Sequence, residues 1–309
     1  MIIYPVAIPT LCRYEHFKRT VESLSKCSLA EKTELVLGID YPLNKKHEEG
    51  HNKIKEYVKT INGFKKVTVF YADRNLGQSE NMRRLEEYVK CTYDAWIFTE
   101  DDNVFSPCFL EFMNISLNEL KNNKKIFAVT GYSPIEYENM TKNPIVLSRY
   151  AFMWGCGVWF DRSSPLQFSE CDSICRDLGK SFRVFKEQPA ALGMFLVMLK
   201  RKQSYGDIIR TIENVLNDRY FLMPSLSMVR NIGQDGSGQH SGVNYKIQNQ
   251  MISSKYHCSY TQDDFERALG EIKTFKYKRK SFFIMLSSNK FKAILQIIKI
   301  VFRWIFYRF

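Results

Sequence analysis

Signatures of several large enzyme classes are missing from this chain of 309 residues. It contains no G-x-G-x-x-G after its first apolar segment and no G-x-x-x-x-G-K-[ST], which excludes a Rossmann dehydrogenase and a P-loop kinase or ATPase. Its cysteines (Cys12, Cys27, Cys91, Cys108, Cys156, Cys171, Cys175 and Cys258) include no C-x-x-C pair. The closest spacing, Cys171 to Cys175, lacks the second cluster that would complete a zinc site, so they read as reduced thiols. No basic n-region precedes the apolar Met1-Ile2-Ile3-Tyr4-Pro5, and no cleavage site follows a long apolar stretch, so no secretory signal is expected and the cytosol is the default compartment. In that compartment the sequons at Asn114 and Asn139 carry no glycan.

What is present is a globular composition: 45% of residues are hydrophobic and 14% aromatic, enough to bury a core. At about 100–200 residues per domain the length fits one large domain, or one with an appendage. The formal net charge is +12, but its distribution matters more than its size. From Gly270 onward, ten basic residues (Lys273, Lys276, Lys278, Arg279, Lys280, Lys290, Lys292, Lys299, Arg303 and Arg308) face a single acid, Glu271. The rest of the chain is nearly neutral, which argues against a nucleic-acid-binding body.

Within that tail Lys292, Gln296, Lys299 and Arg303 recur at helical spacing and leave an apolar remainder that includes Ile294, Leu295, Ile298, Phe302, Trp304 and Phe306. A spanning helix needs about 20 residues with few charges. Lys299 and Arg303 interrupt this run, so a helix over about residues 281–309 lying in an anionic membrane interface is expected, with the basic cluster Lys276–Lys280 beside it. A helix docked on the protein's own core is the alternative. The expected organisation is a catalytic domain over residues 1–245 and a basic C-terminal segment over 246–309.

The body reads as alternating strands and helices. Strands are predicted at Ile2–Ile8, Leu35–Ile39, Val67–Tyr71, Ala95–Thr99 and Ile126–Thr130, each followed or preceded by apolar residues at helical spacing. Such alternation predicts an α/β fold with a mostly parallel sheet flanked by helices. Ligands of such sheets bind outside the carboxyl ends of the strands. There the sequence is polar: Thr10 and Arg13, then Asp40, then Asp73, Arg74 and Asn75, then Glu100, Asp101, Asp102 and Asn103.

Glu100, Asp101 and Asp102 place three carboxylates directly after a buried strand, where they repel one another unless a cation or donor groups neutralise them. A divalent ion bound by one or two carboxylates and completed by phosphate oxygens is one solution. A polar turn capping the helix near Pro107 is the other.

In order along the chain, Pro5-Val6-Ala7-Ile8-Pro9-Thr10 through Lys18-Arg19-Thr20, Arg74-Asn75-Leu76-Gly77, Phe98-Thr99-Glu100-Asp101-Asp102 with Pro107 and Phe109, and Val129-Thr130-Gly131 form a series of motifs. It continues through Ser148-Arg149-Tyr150, Trp154-Gly155-Cys156-Gly157-Val158-Trp159, Pro224, Asn231-Ile232-Gly233-Gln234-Asp235-Gly236 and His240. This series resembles GT-A glycosyltransferases, in particular family-two-like bacterial enzymes, and more distantly N-acetylglucosaminyltransferase I. The resemblance implies a nucleotide-diphosphate sugar donor, Mn²⁺ or Mg²⁺, and inverting transfer to a glycan or lipid-linked acceptor. With the tail it implies a peripheral enzyme on the inner face of the plasma membrane.

By resemblance Asp40 meets the nucleotide base, Asp101 the ribose side and Asp102 the metal, with Glu100 behind it and His240 as a further metal or diphosphate contact. Pro9, Thr10, Gly155 and Gly157 line the donor, and Arg13, Arg74 and Arg84 are candidates for the diphosphate charge. The general base is assigned to Asp207, with Glu213 and Asp161 as alternatives. Tyr150, Phe152 and Trp154 could stack a sugar face. A nucleotidyltransferase and a catalytically inactive membrane scaffold remain open as other readings.

Overall fold

The computed structural model describes residues 1–135, 141–162, 173–174, 177–202, 204–238, 242–255, 257 and 259–272, and of residues 189, 196, 200 and 201 the backbone alone. The chain forms two compact units. The first draws on residues 1–146, 152–162 and 222–265, and the second on 147–151 and the segment ending at 221, with 266 onward.

The elements follow in chain order as β1 (Val6–Thr10), α1 (Tyr14–Ser25), β2 (Glu34–Ile39), α2 (Lys45–Tyr57), β3 (Lys66–Tyr71), α3 (Gly77–Lys90), β4 (Ala95–Phe98), β5 (Asn103–Phe105) and α4 (Phe109–Glu119). Then come β6 (Ile126–Thr130), β7 (Ile145–Ser148), β8 (Cys156–Trp159), α5 (Leu178–Glu187), α6 (Pro189–Arg201) and α7 (Gly206–Leu216). The series ends with β9 (Tyr220–Pro224), β10 (Val229–Asn231), α8 (Tyr245–Gln248) and α9 (Gln262–Ile272).

An eight-stranded sheet has the order β3-β2-β1-β4-β8-β6-β9-β7. The first four strands are parallel, with Val6 opposite Leu35 and Ile97, and Leu35 opposite Val67. β8 runs antiparallel to both β4 and β6, Cys156 facing Phe98 and Thr130. The fold is therefore α/β with a mostly parallel half-sheet, as expected, and an antiparallel strand inserted where periodicity carries no directional information. β1 and β2 are buried along nearly their whole length because helices cover both faces, whereas β3 at the edge keeps partly exposed residues. α1 shows the usual cause of such cover: Phe17, Thr20, Val21 and Leu24 recur at helical spacing and are the buried face.

The first strand begins later than expected, at Val6 rather than Ile2. Ahead of it Pro5 O still accepts from Ile97 N of β4 at 2.9 Å, and the residues before Pro5 are held by side chains. Asn118 exchanges bonds with Ile2 N at 2.9 Å and Ile2 O at 2.8 Å, and Asn114 Oδ1 accepts from Tyr4 N at 2.8 Å. β5 was not expected as a strand, whereas β10 falls in the Pro224-to-Asn231 stretch where the resemblance implies a closing strand; each has three residues, too few to show a period, and they pair with each other across a long sequence separation.

Residues 246–265 group with the first unit, and the residues from 266 onward with the second. Gln250 Nε2 donates to Ser133 O at 2.7 Å, Ser253 N to Ser227 O at 2.9 Å, and Asn143 Nδ2 to Asp264 O at 2.7 Å. The expected membrane helix over about 281–309 lies outside the described residues. Among the described residues no helix is long and apolar enough to cross a membrane. Cys12, Cys27, Cys91, Cys108 and Cys156 form no disulfide.

The second unit has its own core, in which Val184, Ala191, Phe195, Met198, Ile208, Ile212 and Val215 are buried together. Arg149 ties its loops, pairing with Glu187 Oε2 and Asp218 Oδ1 at 2.5 Å each and donating to Tyr220 Oη at 2.9 Å.

Candidate functional site

The parallel strands end on a common edge, and backbone bonds continue each ladder one step past it. Asp40 N donates to Thr10 O at 2.9 Å, which sets Asp40 at the end of β1, and Thr99 N donates to Ala7 O at 3.1 Å, so β4 stops beside the middle of β1 and Asp101 follows toward the level of Thr10. The chain then turns sharply through Asp101 and Asp102 into β5. This disposes of the helix-capping alternative, since a strand, not a helix, follows Asp102.

The turn is buried, with Asp101 7% and Asp102 6% exposed, so its carboxylates must find partners. Arg13 supplies two of them: one guanidinium nitrogen pairs with Asp101 Oδ1, and Nη1 sits 2.8 Å from Asp102 Oδ2. Thr10 Oγ1 donates to Asp101 Oδ2 at 2.8 Å, and Thr20 Oγ1 to the Asp101 carbonyl at 2.9 Å. From the other side, β10 pairs Asn231 with Asn103, and the Asn231 amide donates to Asp102 Oδ1 at 2.8 Å and to Asn103 Oδ1 at 3.2 Å. Ile232 N closes the same loop on the Asp102 carbonyl at 2.8 Å. Gly233 passes so close that a Cβ there would lie 2.0 Å from Asp102 Oδ2, inside any allowed contact.

The charges do not balance locally. Burial opposes the charge on Arg13, but Asp101 and Asp102 outweigh it and hold the guanidinium ionised beyond its ordinary range. Burial raises the Asp102 carboxyl, with Arg13 lowering it and Asp101 raising it further. Glu100, bonded by Gln78 Nε2 at 3.2 Å, is pushed up to about 7 by burial first and then by Asp102 and Asp101. One arginine thus faces more negative charge than it cancels, which is the chemistry that takes up a further cation. Among the described residues no three His, Cys, Asp or Glu side chains gather into a complete metal-binding group. The donor set fits a hard divalent ion that takes one or two protein carboxylates and completes its shell with phosphate oxygens and water.

Asp40 is held by backbone amides. Its Oδ1 accepts from Tyr41 N and Leu76 N at 2.8 Å each, and its Oδ2 accepts from Gly77 N at 2.9 Å. α3 begins without a side-chain cap of its own, and Asp40 caps it from a distant point in the chain. Gly77 makes this possible by adopting φ +74°, a left-handed conformation that other residues disfavour. Asp40 therefore fixes the loop over the strand ends with its carboxylate already occupied.

Of the arginine candidates only Arg13 joins the acidic turn. Arg74 is exposed and pairs with Glu80 Oε1 at 3.0 Å. Arg84 donates to the Tyr71 and Phe70 carbonyls and to Asn81 Oδ1 at 2.8 Å, tying α3 to β3. Pro9 is buried in β1. Gly155 and Gly157 serve packing: a Cβ at Gly155 would lie 2.9 Å from Val229 Cγ2, and one at Gly157 3.0 Å from Met113 and Leu117. Tyr132 stands between Phe152 and Trp154, at 5.5 and 4.6 Å between ring centres.

Asp161 lies at the end of the sheet opposite the acidic turn. β8 runs against β4 with Trp159 opposite Ala95, so Asp161 lies beyond the start of β4, where it pairs with Lys124. Asp207 and Glu213 belong to the second unit, in α7. Asp207 occupies its first turn, where burial raises its carboxyl against the lowering effect of backbone amides. Glu213 is paired with Arg210 at 2.9 Å. His240 lies outside the described residues. Thr20 and Asn231 stand in the sequence motifs but were given no role from sequence; only the pairing of Asn231 with Asn103 reveals what its amide does.

No protein-family model matches the chain, and no curated protein does. Among solved structures, Staphylococcus aureus TarS 1–349 is 11% identical over 90% of this chain and 73% of that one, with a TM-score of 0.43. The Pyrobaculum calidifontis mannosyltransferase PcManGT, in complex with GDP-Man and Mn²⁺, is 8% identical over 69% of each chain, with a TM-score of 0.42. A further S. aureus TarS structure is 13% identical over 42% of this chain and only 21% of that one, with a TM-score of 0.32.

Proposed function

We propose that the chain is a metal-dependent glycosyltransferase of the GT-A type, transferring a sugar from a nucleotide-diphosphate donor with inversion. The observation that carries this reading is the buried Asp101–Asp102 turn at the carboxyl edge of the parallel strands, whose negative charge Arg13 leaves incompletely neutralised. That edge is where an open sheet binds its ligand.

Asp102 and the donor diphosphate would hold Mn²⁺ or Mg²⁺, which when bound supplies charge to the departing diphosphate. Thr10, Asn231 and the Gly233 backbone keep the Asp101 and Asp102 carboxylates in one orientation. Arg13 stands beside them as the fixed cation that can turn to a phosphate oxygen. Asp207 takes the proton from the acceptor hydroxyl, a role suited to a carboxylate whose proton affinity burial has raised. The acceptor is a lipid-linked or surface-polysaccharide glycan, and the basic C-terminal segment holds the enzyme at the cytosolic membrane face.

Release of nucleoside diphosphate from a panel of nucleotide sugars, with Mn²⁺ and with chelator, tests the reading. Turnover of one donor with Mn²⁺, falling by at least about 100-fold in Asp102→Asn, supports it. No turnover of any donor together with unimpaired membrane binding supports the inactive scaffold instead.

A further inference from the structure

β10 leads into a segment that crosses the acidic turn, and three successive residues touch it. Asn231 donates to the Asp102 carboxylate, Ile232 N donates to the Asp102 carbonyl, and Gly233 lies over Asp102 Oδ2 with its own N bonded to Asn231 Oδ1 at 3.0 Å. Two residues on, Asp235 ties the segment down again. Its Oδ1 accepts from Ser237 N at 2.9 Å and from Ser237 Oγ at 2.6 Å, and its Oδ2 lies 3.0 Å from His16 Nε2. These bonds, that of the Ser237 hydroxyl foremost, pull the Asp235 carboxyl down to about 2. An ionised carboxylate only accepts, so His16 Nε2 carries the hydrogen.

His16 stands in the first turn of α1, three residues after Arg13, whose guanidinium pairs with Asp101 and Asp102. Both ends of the segment therefore lead to the same carboxylates, Asn231 directly and Asp235 by way of α1. Beyond it the chain returns, Asp235 bridging to Val243 and Gln234 O accepting from Asn244 N at 2.9 Å. The His16 and Asp235 side chains keep 17% and 39% of their surface in solvent. A pair this open adds little to global stability, so its consequence is local.

We infer that His16 and Asp235 are positioning residues, whose bond fixes the Gly233 backbone against Asp102 and Arg13 and so sets the geometry in which the acidic turn holds a metal and a nucleotide diphosphate. The inference rests on the function proposed for that turn and adds to it a pair that touches neither group. Asn231 orients one oxygen of Asp102; the His16–Asp235 bond keeps the following backbone from withdrawing from the other.

Two readouts on the full-length protein test this. In hydrogen exchange without ligand, His16→Ala should speed exchange across residues 232–237 while β1 and β4 keep their wild-type rates. In isothermal titration with nucleoside diphosphates and Mn²⁺, the same variant should bind about fivefold more weakly, the scale of an exposed ion pair. His16→Gln, whose side-chain amide can present a donor where Nε2 stood, should restore both. In an Asp235→Ala background, His16→Ala should cause no further loss of affinity. An added loss there would mean that His16 meets the nucleotide itself, and it overturns the positioning role. So does unchanged exchange across 232–237, faster exchange throughout the unit, or an affinity within about twofold of wild type. A wild-type protein that binds no nucleoside diphosphate with Mn²⁺ removes the proposed function instead, and the exchange result still decides whether the pair holds the segment.

Discussion

At the scale of single residues, Asp102 is defined by what approaches it. Asn231 fills one carboxylate oxygen and Arg13 the other, while Gly233 leaves no room for a side chain. Asn231→Ala should leave a buried carboxylate oxygen without its donor and lower stability by about 1–3 kcal/mol, read by denaturant unfolding. Because Asn231 sets the orientation of the proposed metal ligand, the same variant should weaken Mn²⁺-dependent nucleotide binding by roughly 10–100-fold. Gly233→Ala forces either the loop or Asp102 to move. It should reduce nucleotide binding while leaving the far-UV spectrum unchanged. The acidic turn was legible in the sequence because three acids after an apolar strand are chemically conspicuous. Asn231 was not, since an asparagine in a loop acquires meaning only when a strand pairing brings it to Asp102.

At the scale of elements, Asp40 shows how a residue with a conspicuous position can have an unforeseen duty. Its place just after β2 was legible, but its role as the cap of α3 depends on contacts with Leu76 and Gly77 that no local pattern announces. Asp40→Ala should destabilise the protein by about 1–2 kcal/mol through loss of that cap, seen as a lower Tm. If Asp40 instead acted only on the nucleotide, Tm without ligand would not move. In α7, burial raises the Asp207 carboxyl above its unfolded value. The folded state then holds a proton that the unfolded state releases first, so this group's contribution to stability falls as pH rises from the ordinary aspartate range through its raised folded value. Asp207→Asn should flatten that decline and raise Tm at neutral pH, while abolishing transfer if Asp207 is the base. A variant less stable than wild type at neutral pH would contradict the burial argument.

At the scale of the whole molecule, the repetition of strand and helix through Thr130 was readable because each element has enough residues to display its period. The three-residue β5 and the reversed direction of β8 were not, because both depend on long-range pairing. The same limit separates the carboxylates: Glu100, Asp101 and Asp102 gather at one edge, Asp161 goes to the opposite end of the sheet, and Asp207 enters a different unit. The central claim concerns that edge. Isothermal titration of the full-length protein with nucleoside diphosphates, in Mn²⁺ and in chelator, tests it most directly. The account predicts that one nucleoside diphosphate binds only with the metal, and that Asp102→Asn removes the metal dependence. Equal affinity in chelator, unchanged by Asp102→Asn, would contradict it.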